Sequence, residues 1–328
     1  MSARGDVRAA EAAQVALLTG TGAAGVLGAA LAHEGARLEQ CTVHSVHHRP
    51  GAGVSVGYTA VVLEADGRRL TEYLCATTAR LSRTNVPGLI PVLASDGVGP
   101  TIHVWRHPAD PELPALVVAC TPSLLSARIG AKVKATMVAY RPTRRAVVRV
   151  TWPDGSTAFA KVLRPPQAAA LAQRHRMLTL SGVPAPQVLR EDVDGLVMLS
   201  TGQGTSLSGL LAQGMEPTQA TRVFNALAAT LDALPADALP LPRHPAWSER
   251  ARHYAHAAAT VLPEHASRAR AVALGVEELL AGSDPGPVVP THGDFYEANV
   301  LMDGEDVSCV LDVDSLGPGY RVDDYACL

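Results

Sequence analysis

The feature that most constrains the fold of this chain is a stretch near its C-terminal end, where polar residues alternate with short apolar segments. It contains His292-Gly293-Asp294, with Asn299 five residues after the aspartate. Two apolar segments, 300–302 and 307–311, follow with a turn between them, and Asp312 comes directly after the second. This order predicts a loop, a strand, a turn, a second strand and then a carboxylate. A surface loop with three polar residues rarely meets all of these conditions by chance.

The residue types in this stretch suit the transfer of a phosphoryl group to a hydroxyl. Asp294 can accept the proton of the attacking hydroxyl, and we predict it as a catalytic residue. Asn299 and Asp312 offer an amide oxygen and a carboxylate, which are ligands that Mg²⁺ prefers, and we predict both as metal ligands and catalytic residues. Asp314 is the alternative metal ligand, because side chains two residues apart share one side of an extended segment.

These motifs resemble the aminoglycoside phosphotransferase-like kinases of small molecules. The resemblance rests on His292-Gly293-Asp294, Asn299 and Leu311-Asp312-Val313-Asp314, and it covers about residues 130 to 328. In that family Gly commonly stands where protein kinases carry Arg, and the metal-binding Asp need not be followed by Phe-Gly. The resemblance implies an α+β, bilobal protein-kinase-like fold with ATP between an antiparallel-sheet N-lobe and a mainly helical C-lobe. It also implies that Asp324 caps a helix and ties down the preceding loop.

The pattern along the chain predicts three domains. A cap domain covers 1–130, an N-lobe 131–200 and a C-lobe 201–328, and such a cap resembles that of maltokinase-like family members. Family members continue for several helices past this point, so the resemblance implies a C-lobe truncated at its C-terminus, with an incomplete acceptor side. The predicted helices are 8–18, 23–33, 123–129, 167–180, 218–234, 247–262 and 264–281, and the main predicted strands are 41–49, 54–64, 69–77, 102–107, 132–140, 146–152, 157–163 and 196–199.

The predicted nucleotide contacts lie in the N-lobe. Lys161 stands between apolar neighbours late in the third strand, where the kinase lysine contacts the α and β phosphates; the alternative is an ordinary strand lysine. By resemblance the interlobe hinge spans 199–201, so that Ser200 contacts adenine and Met198 lies beside the nucleotide pocket. Arg144 and Arg145, in the turn before the second strand, either meet the phosphates by charge or belong to a solvated turn.

Two further patterns matter: one departs from the pattern of kinases, and the other is a repeat within the chain. The helix at 167–180 carries no acidic residue, whereas kinases place a Glu there to orient the lysine, and only Gln173, Arg174 and His175 stand near that position. The carboxylate that orients Lys161 is therefore left open.

The residues at the turns of the second set of strands also repeat those of the first set, with Tyr73 at the position that matches Lys161. Duplication is one explanation of this repeat, and the alternative is that hairpins share turn residues without common descent.

Composition and spacing exclude several other functions. The net charge of −3 gives no electrostatic footprint for nucleic acid, and the stretch 12–32 is too polar for a membrane span or signal sequence. The five cysteines are scattered and form no CxxC pair, which favours reduced thiols in the cytoplasm over a disulfide framework or zinc site. Gly20, Gly22 and Gly25 match a dinucleotide motif, but a helical pattern rather than a strand precedes them. His44, His47 and His48 fall on alternating strand faces, which disfavours metal binding.

The sequence thus predicts an ATP- and Mg²⁺-dependent phosphotransferase acting on a hydroxyl of a small molecule such as an aminoglycoside, a sugar or an amino alcohol. The alternative is a catalytically inactive, kinase-like nucleotide-binding module. The missing helix Glu favours that alternative, whereas retention of Lys161, Asp294, Asn299 and Asp312 favours the enzyme. A protein kinase is disfavoured because no Ala-Pro-Glu segment follows Asp312. The acceptor and the oligomeric state are left open.

Overall fold

The structure is a computed structural model that describes residues 3–49, 51–93 and 100–328. The chain divides into two compact units. The first unit consists of Met1–Val148, Val162–Arg164 and His253–Ala271, and the second of Arg149–Lys161, Pro165–Arg252 and Val272–Leu328. The predicted domain boundaries at 130 and 200 divide the chain differently and stay a prediction.

Two helices and an antiparallel sheet open the chain, as predicted. The sheet has the strand order β1-β2-β3-β5-β4. Its elements are α1 (Ala3–Thr19), α2 (Gly22–His33), β1 (Arg37–Arg49), β2 (Gly53–Leu63), β3 (Arg69–Thr77), β4 (Ile90–Val92), β5 (Ile102–Arg106), α3 (Leu116–Cys120) and α4 (Pro122–Ile129).

The core of this region follows from the two-residue period of β2. Every second residue, from Val54 through Tyr58 to Val62, is fully buried, and these side chains pack with those of Leu18 and Leu27 from α1 and α2. The Tyr58 hydroxyl donates to the Leu18 carbonyl at 2.7 Å, so its burial leaves no unsatisfied donor. Each such aliphatic side chain contributes about 1.5–3 kcal/mol by burial.

A second five-stranded sheet has the same topology as the first, with the order β6-β7-β8-β10-β9. Tyr73 and Lys161 each lie four residues after the start of the third strand of their sheet. The shared order agrees with the repeated turn pattern in the sequence. The elements of the second sheet are β6 (Lys134–Arg141), β7 (Arg145–Thr151), β8 (Thr157–Leu163), α5 (Pro165–Leu180), β9 (Val188–Glu191) and β10 (Leu196–Ser200).

The remaining elements are mainly helices and two small sheets, and with them the predicted α+β class is confirmed. Among the described residues no single helix is long and apolar enough to cross a membrane, although α1 and α2 together pass that test as a pair bent by 71°. The elements are β11 (Thr205–Ser206), α6 (Leu207–Ala212), α7 (Pro217–Asp232), α8 (Ala251–Val261), α9 (Ala266–Ala281), β12 (Val288–Thr291), β13 (Val300–Asp303), β14 (Asp306–Val310), β15 (Gly317–Tyr320) and α10 (Arg321–Cys327).

The sequence did not predict several short elements: β4, β11, β12, β15, α3 and α6. Ile90-Pro91-Val92 lies in a stretch rich in Pro and Gly, which predicts a loop, but β4 is an edge strand, where Pro costs no interior ladder bond. The Gly20–Gly25 motif begins directly after α1 and continues into the first turn of α2, so it follows a helix, the arrangement that argued against a dinucleotide site.

Candidate active site

The loop from 292 to 299, which connects β12 to β13, is organised around the buried ring of His292. Its Nε2 donates to the Leu311 carbonyl at 2.9 Å, and its Nδ1 accepts from the Asp294 backbone N–H at 3.3 Å. This pair of bonds requires the neutral tautomer with the proton on Nε2. Burial lowers the pKa of His292 to about 4, so the ring stays neutral at ordinary pH and joins the loop to the end of β14.

Asp324, in the first turn of α10, supports the same loop from its other side. Its carboxylate accepts from the backbone N–H groups of His292 at 2.9 Å and Gly293 at 2.8 Å. Burial raises the pKa of Asp324 to about 6, against the lowering effect of these two bonds. The predicted tie was to the loop that precedes α10, whereas the observed bonds go to the loop 292–299. The predicted helix cap is wrong: the capping position is Tyr320, which makes no side-chain cap bond, and the Asp324 carboxylate bonds to the loop 292–299 instead.

Gly293 occupies a position where a side chain would not fit. Its φ of +79° is in the left-handed region, and a Cβ there would lie 2.9 Å from both Cβ and carbonyl oxygen of Ser315. The glycine therefore allows the loop to approach the segment that follows Asp312. This is a structural reason for Gly at the place where protein kinases carry Arg.

Asp294 and Asn299 are brought together, as their spacing predicted. The Asn299 side-chain amide donates to the Asp294 carbonyl at 3.0 Å, and its nitrogen lies 3.5 Å from Asp294 Oδ2. The Leu311 N–H donates to the Asn299 backbone carbonyl at 2.7 Å, which attaches this end of the loop to the strand pair β13 and β14. Because the amide nitrogen of Asn299 is used within the loop, its side-chain oxygen is the atom that can ligate a metal.

Lys161 is held between two carboxylates. Its Nζ donates to Asp312 Oδ1 at 2.7 Å and to Asp314 Oδ2 at 3.2 Å, and all three side chains are largely shielded from solvent. Burial alone lowers the pKa of Lys161, but the charges of Asp314 and Asp312 outweigh it and raise that pKa above its ordinary value. Burial raises the pKa of Asp314, and the ammonium charge opposes that rise. The carboxylates that orient Lys161 are therefore Asp312 and Asp314.

Asp312 has an unusual backbone conformation. Its φ of +54° and ψ of +49° are left-handed, which is uncommon for a residue other than Gly. Such a conformation costs on the order of 1–2 kcal/mol and persists only where the surroundings hold it. The strain turns the chain directly after β14 into a short 3₁₀ turn, Val313–Ser315. The carboxylates at 312 and 314 then both reach Lys161.

The helix α5 contributes a different link in place of the missing Glu. Arg174 is buried and its Nε donates to the Leu316 carbonyl at 3.0 Å, which joins α5 to the segment after Asp314. His175 beside it is 1 % exposed, and burial followed by the charge of Lys161 lowers its pKa to about 4. The sequence places both residues near the position of the kinase Glu but predicts no role for them, because neither side chain can replace a carboxylate opposite Lys161.

A family comparison decides the identity of this arrangement. The sequence model described as the phosphotransferase enzyme family (APH) matches residues 142–328, which is more than half of the chain. The chain belongs to this phosphotransferase family. The enzyme class and the family predicted from the motif, a small-molecule phosphotransferase of the aminoglycoside phosphotransferase type, are therefore confirmed. No match to a curated protein sequence was found.

Several solved structures are similar to this phosphotransferase at low identity. A thermostable mutant of aminoglycoside phosphotransferase APH(4)-Ia in the apo form is 19% identical, with 63% of this chain and 75% of that chain covered and a TM-score of 0.43. The macrolide 2'-phosphotransferase MphH from Brachybacterium faecium is 19% identical over 61% and 73%, with a TM-score of 0.39. The ADP-bound aminoglycoside phosphotransferase APH(2'')-Ib is 12% identical over 62% and 73%, with a TM-score of 0.44.

The residues of the phosphotransferase that were predicted to form the hinge are positioned by β9 and β10. Met198 is buried in β10, and Ser200 ends that strand. The Ser200 N–H donates to the Gln187 carbonyl at 2.9 Å, and its hydroxyl accepts from the Gln187 N–H at 2.8 Å. The Ser200 N–H is therefore used within the protein, whereas its hydroxyl hydrogen and its carbonyl are the groups that can meet a ligand.

The two predicted arginines of the phosphotransferase flank the turn between β6 and β7, where the sequence placed them. Arg145 begins β7 and is exposed. Arg144 lines a cavity of the first unit together with His47, His48 and Arg80. None of those three residues was predicted as a nucleotide contact, and the local sequence carries no signal that would bring them to this turn.

The chemistry of the donor set fits magnesium. The carboxylates of Asp312 and Asp314 and the amide of Asn299 present oxygen atoms, the ligand type of Mg²⁺. The Lys161 ammonium already lies between the two carboxylates, so that position accommodates a positive charge. In the described ranges no group of three or more His, Cys, Asp or Glu side chains is arranged to hold a metal. A magnesium ion here would complete its shell with water and phosphate oxygens.

Proposed function

We propose that this phosphotransferase moves the γ-phosphoryl group of ATP to a hydroxyl of a small molecule, with Mg²⁺ as cofactor. The observation that carries the proposal is the pairing of Lys161 with Asp312 and Asp314. A lysine and two carboxylates that are mostly shielded from solvent form a site for a metal and the phosphates next to it. The loop that carries Asp294 and Asn299 is bonded to the same strand end through His292.

Each residue has a role that follows from its contacts. Asp294 orients the acceptor hydroxyl and takes up its proton, and Asn299 and Asp312 hold Mg²⁺, with Asp314 as a further ligand. When bound, Mg²⁺ offsets the negative charge of the phosphate oxygens. Lys161 has three N–H donors, of which two go to the carboxylates, so the third is available for an α or β phosphate oxygen.

The adenine contact is assigned to the end of β10, with Met198 beside the ring and the carbonyl of Ser200 as an acceptor. Arg145 stays a predicted phosphate contact, whereas Arg144 lines a cavity of the first unit. The missing Glu in α5 favoured the alternative of an inactive module. In this protein Asp312 and Asp314 act as the carboxylate partners of Lys161 in place of that Glu. We therefore favour the active enzyme.

The acceptor is proposed to be an aminoglycoside, a sugar or an amino alcohol. Solved structures with a similar chain include phosphotransferases of aminoglycosides and of a macrolide. We also infer a cytoplasmic location, with which the five cysteines, all present as free thiols, agree.

The test is an ATP-consumption screen over these acceptor classes with the parent and an Asp294→Asn variant. We expect transfer by the parent to at least one class and a loss of kcat of about 10²–10⁴-fold in the variant, the range for a positioned proton acceptor. ATP binding should change little, because the carboxylate serves the acceptor. Equal turnover by the two proteins would refute the role of Asp294, and absence of Mg²⁺-dependent nucleotide binding by the parent would refute the proposed function.

A further inference from the structure

The first unit contains a positively charged cavity of about 160 Å³ that the proposed reaction does not use. Four arginines and two histidines line it: Arg80, Arg141, Arg144, Arg164, His47 and His48. None of the described residues that line it is acidic. None of them belongs to the group formed by Lys161, Asp312 and Asp314.

The four guanidinium groups place positive charge along the wall of the cavity. Arg164 Nε lies 2.9 Å from Glu112 Oε2. A guanidinium has five N–H donors in a planar fork, so a partner on one edge leaves other edges for a ligand. Burial, followed by the charge of Arg141, lowers the pKa of His47.

His47 provides an independent indication of a ligand. Its Nε2 is buried without a hydrogen-bond partner, and it lies on the same strand face as Ser55, which also lines the cavity. The His48 side chain lies on the opposite face, where its Nε2 is 3.8 Å from Glu11 Oε2. A buried polar atom left unsatisfied costs free energy, and a bound oxyanion would satisfy His47.

The backbone of the turn that carries the arginines is held in place by hydrogen bonds. The buried Asp110 carboxylate accepts from the Thr143 N–H at 2.7 Å and from the Tyr140 hydroxyl at 2.7 Å. Arg164 Nε also donates to the Thr143 carbonyl at 3.1 Å. The turn between β6 and β7, which carries Arg141 and Arg144, is thus fixed from two sides. A fixed set of donors binds an anion at a lower entropic cost than flexible surface residues do.

We propose that this cavity is an oxyanion site that binds a phosphate group, either as free orthophosphate or as the monoester of a small molecule, separately from ATP. A phosphate carries two charges near neutral pH and three or more acceptor oxygens, which matches several guanidinium forks and one imidazole. The volume of about 160 Å³ is sufficient for one such group.

The experiment measures binding of orthophosphate and of glycerol phosphate by isothermal titration calorimetry at physiological ionic strength. It compares the parent with Arg80→Gln and with the double variant Arg80→Gln, Arg141→Gln. Arg80 and Arg141 are exposed, so their replacement leaves the core intact. The matched control is Arg68→Gln, which removes an exposed arginine of the same unit that pairs with Asp66 outside the cavity.

We expect saturable binding by the parent, weakening of about tenfold in Arg80→Gln, as for loss of one charge-assisted contact, and no measurable binding by the double variant. Arg68→Gln should bind as the parent does. Binding of both ligands indicates that the phosphate group itself is recognised. Binding of one ligand alone shows whether the cavity takes free orthophosphate or a phosphate monoester.

Three outcomes would overturn the proposal: no saturable binding by the parent, equal weakening by Arg68→Gln, or loss of phosphate binding when a non-hydrolysable ATP analogue saturates the protein. The third outcome would assign the cavity to the nucleotide. The proposal does not depend on the proposed function, because phosphate binding should persist in Asp294→Asn whether or not that variant transfers phosphate.

Discussion

At the scale of single residues, Asp312 combines the most constraints. It lies two residues after the end of β14, has a left-handed backbone and makes the shorter of the two bonds to Lys161, at 2.7 Å against 3.2 Å for Asp314. Strained residues that persist are held by their surroundings, and such residues concentrate at functional sites. The two carboxylates are therefore chemically equivalent but positioned differently, and their substitution should have different effects.

We predict that Asp312→Ala weakens Mg²⁺-dependent ATP binding by about 100-fold and Asp314→Ala by about tenfold, as for a principal and a secondary metal ligand. Each variant leaves Lys161 with one carboxylate, so each serves as the control for the other. Titration with a fluorescent ATP analogue at several Mg²⁺ concentrations measures both. The reverse order of effects would move the principal metal role to Asp314.

A second prediction concerns the pH dependence of stability through His175. Its pKa is about 6.5 when unfolded and about 4 when folded, so the unfolded chain binds the proton first as pH falls. His175 therefore leaves the free energy of unfolding unchanged above pH 6.5 and lowers it as the pH falls from 6.5 to 4. At pH 5 this residue lowers it by about 2 kcal/mol.

The measurement is urea unfolding of the parent and His175→Gln at pH 7.5 and pH 5. The parent should lose more unfolding free energy between the two pH values than the variant does. Asp324, whose pKa is raised to about 6, shifts stability in the opposite sense, but it is present in both proteins and cancels in the comparison. An identical pH dependence in both proteins would show that His175 is not held neutral.

At the scale of elements, the turn between β6 and β7 depends on one buried carboxylate. Asp110 accepts from Thr143 N–H, Tyr140 hydroxyl and Glu112 N–H, and Thr143 itself has a φ of +61°. A non-glycine residue in this conformation relies on such bonds, because the backbone would otherwise leave the left-handed region. The rigidity of the turn therefore comes from residues far away in sequence.

We predict that Asp110→Asn lowers the free energy of unfolding by about 1–3 kcal/mol, because an amide nitrogen would replace one acceptor oxygen and leave a buried donor unsatisfied. The matched control is Asp154→Asn in the turn after β7, where an exposed carboxylate bonds only Ser156 and little change is expected. Chemical denaturation measures both. Equal stability of the two variants would mean that the Asp110 bonds do not hold the turn.

At the scale of the whole molecule, a ligand of the folded state should stabilise it by mass action. Mg²⁺ and ATP together, at 100 times their dissociation constant, should raise the free energy of unfolding by about 2.7 kcal/mol. ATP with a chelator should stabilise less, because the carboxylates of Asp312 and Asp314 repel the phosphates without the cation. Thermal unfolding with each ligand combination measures this, and equal stabilisation with and without Mg²⁺ would contradict the assigned metal site.

Sequence alone determined much of the fold and the members of the site. Strand and helix periods predicted most elements of both sheets within a few residues, since buried faces impose a local two-residue or 3.6-residue repeat. The spacing of Asp294, Asn299 and Asp312 predicted the family, because this chemistry requires those residue types in that order.

Only the tertiary structure decided how these residues are held. Lys161 and its carboxylate partners are separated by 151 and 153 residues, and the tie from Asp324 to the loop and the link from Arg174 to the Leu316 carbonyl are likewise long-range. His47 in β1 of the first sheet and Arg144 in the turn between β6 and β7 of the second sheet line one cavity. Local periodicity reports which face of an element is buried, but contacts between distant segments depend on how those faces pack, and no short sequence pattern carries that information.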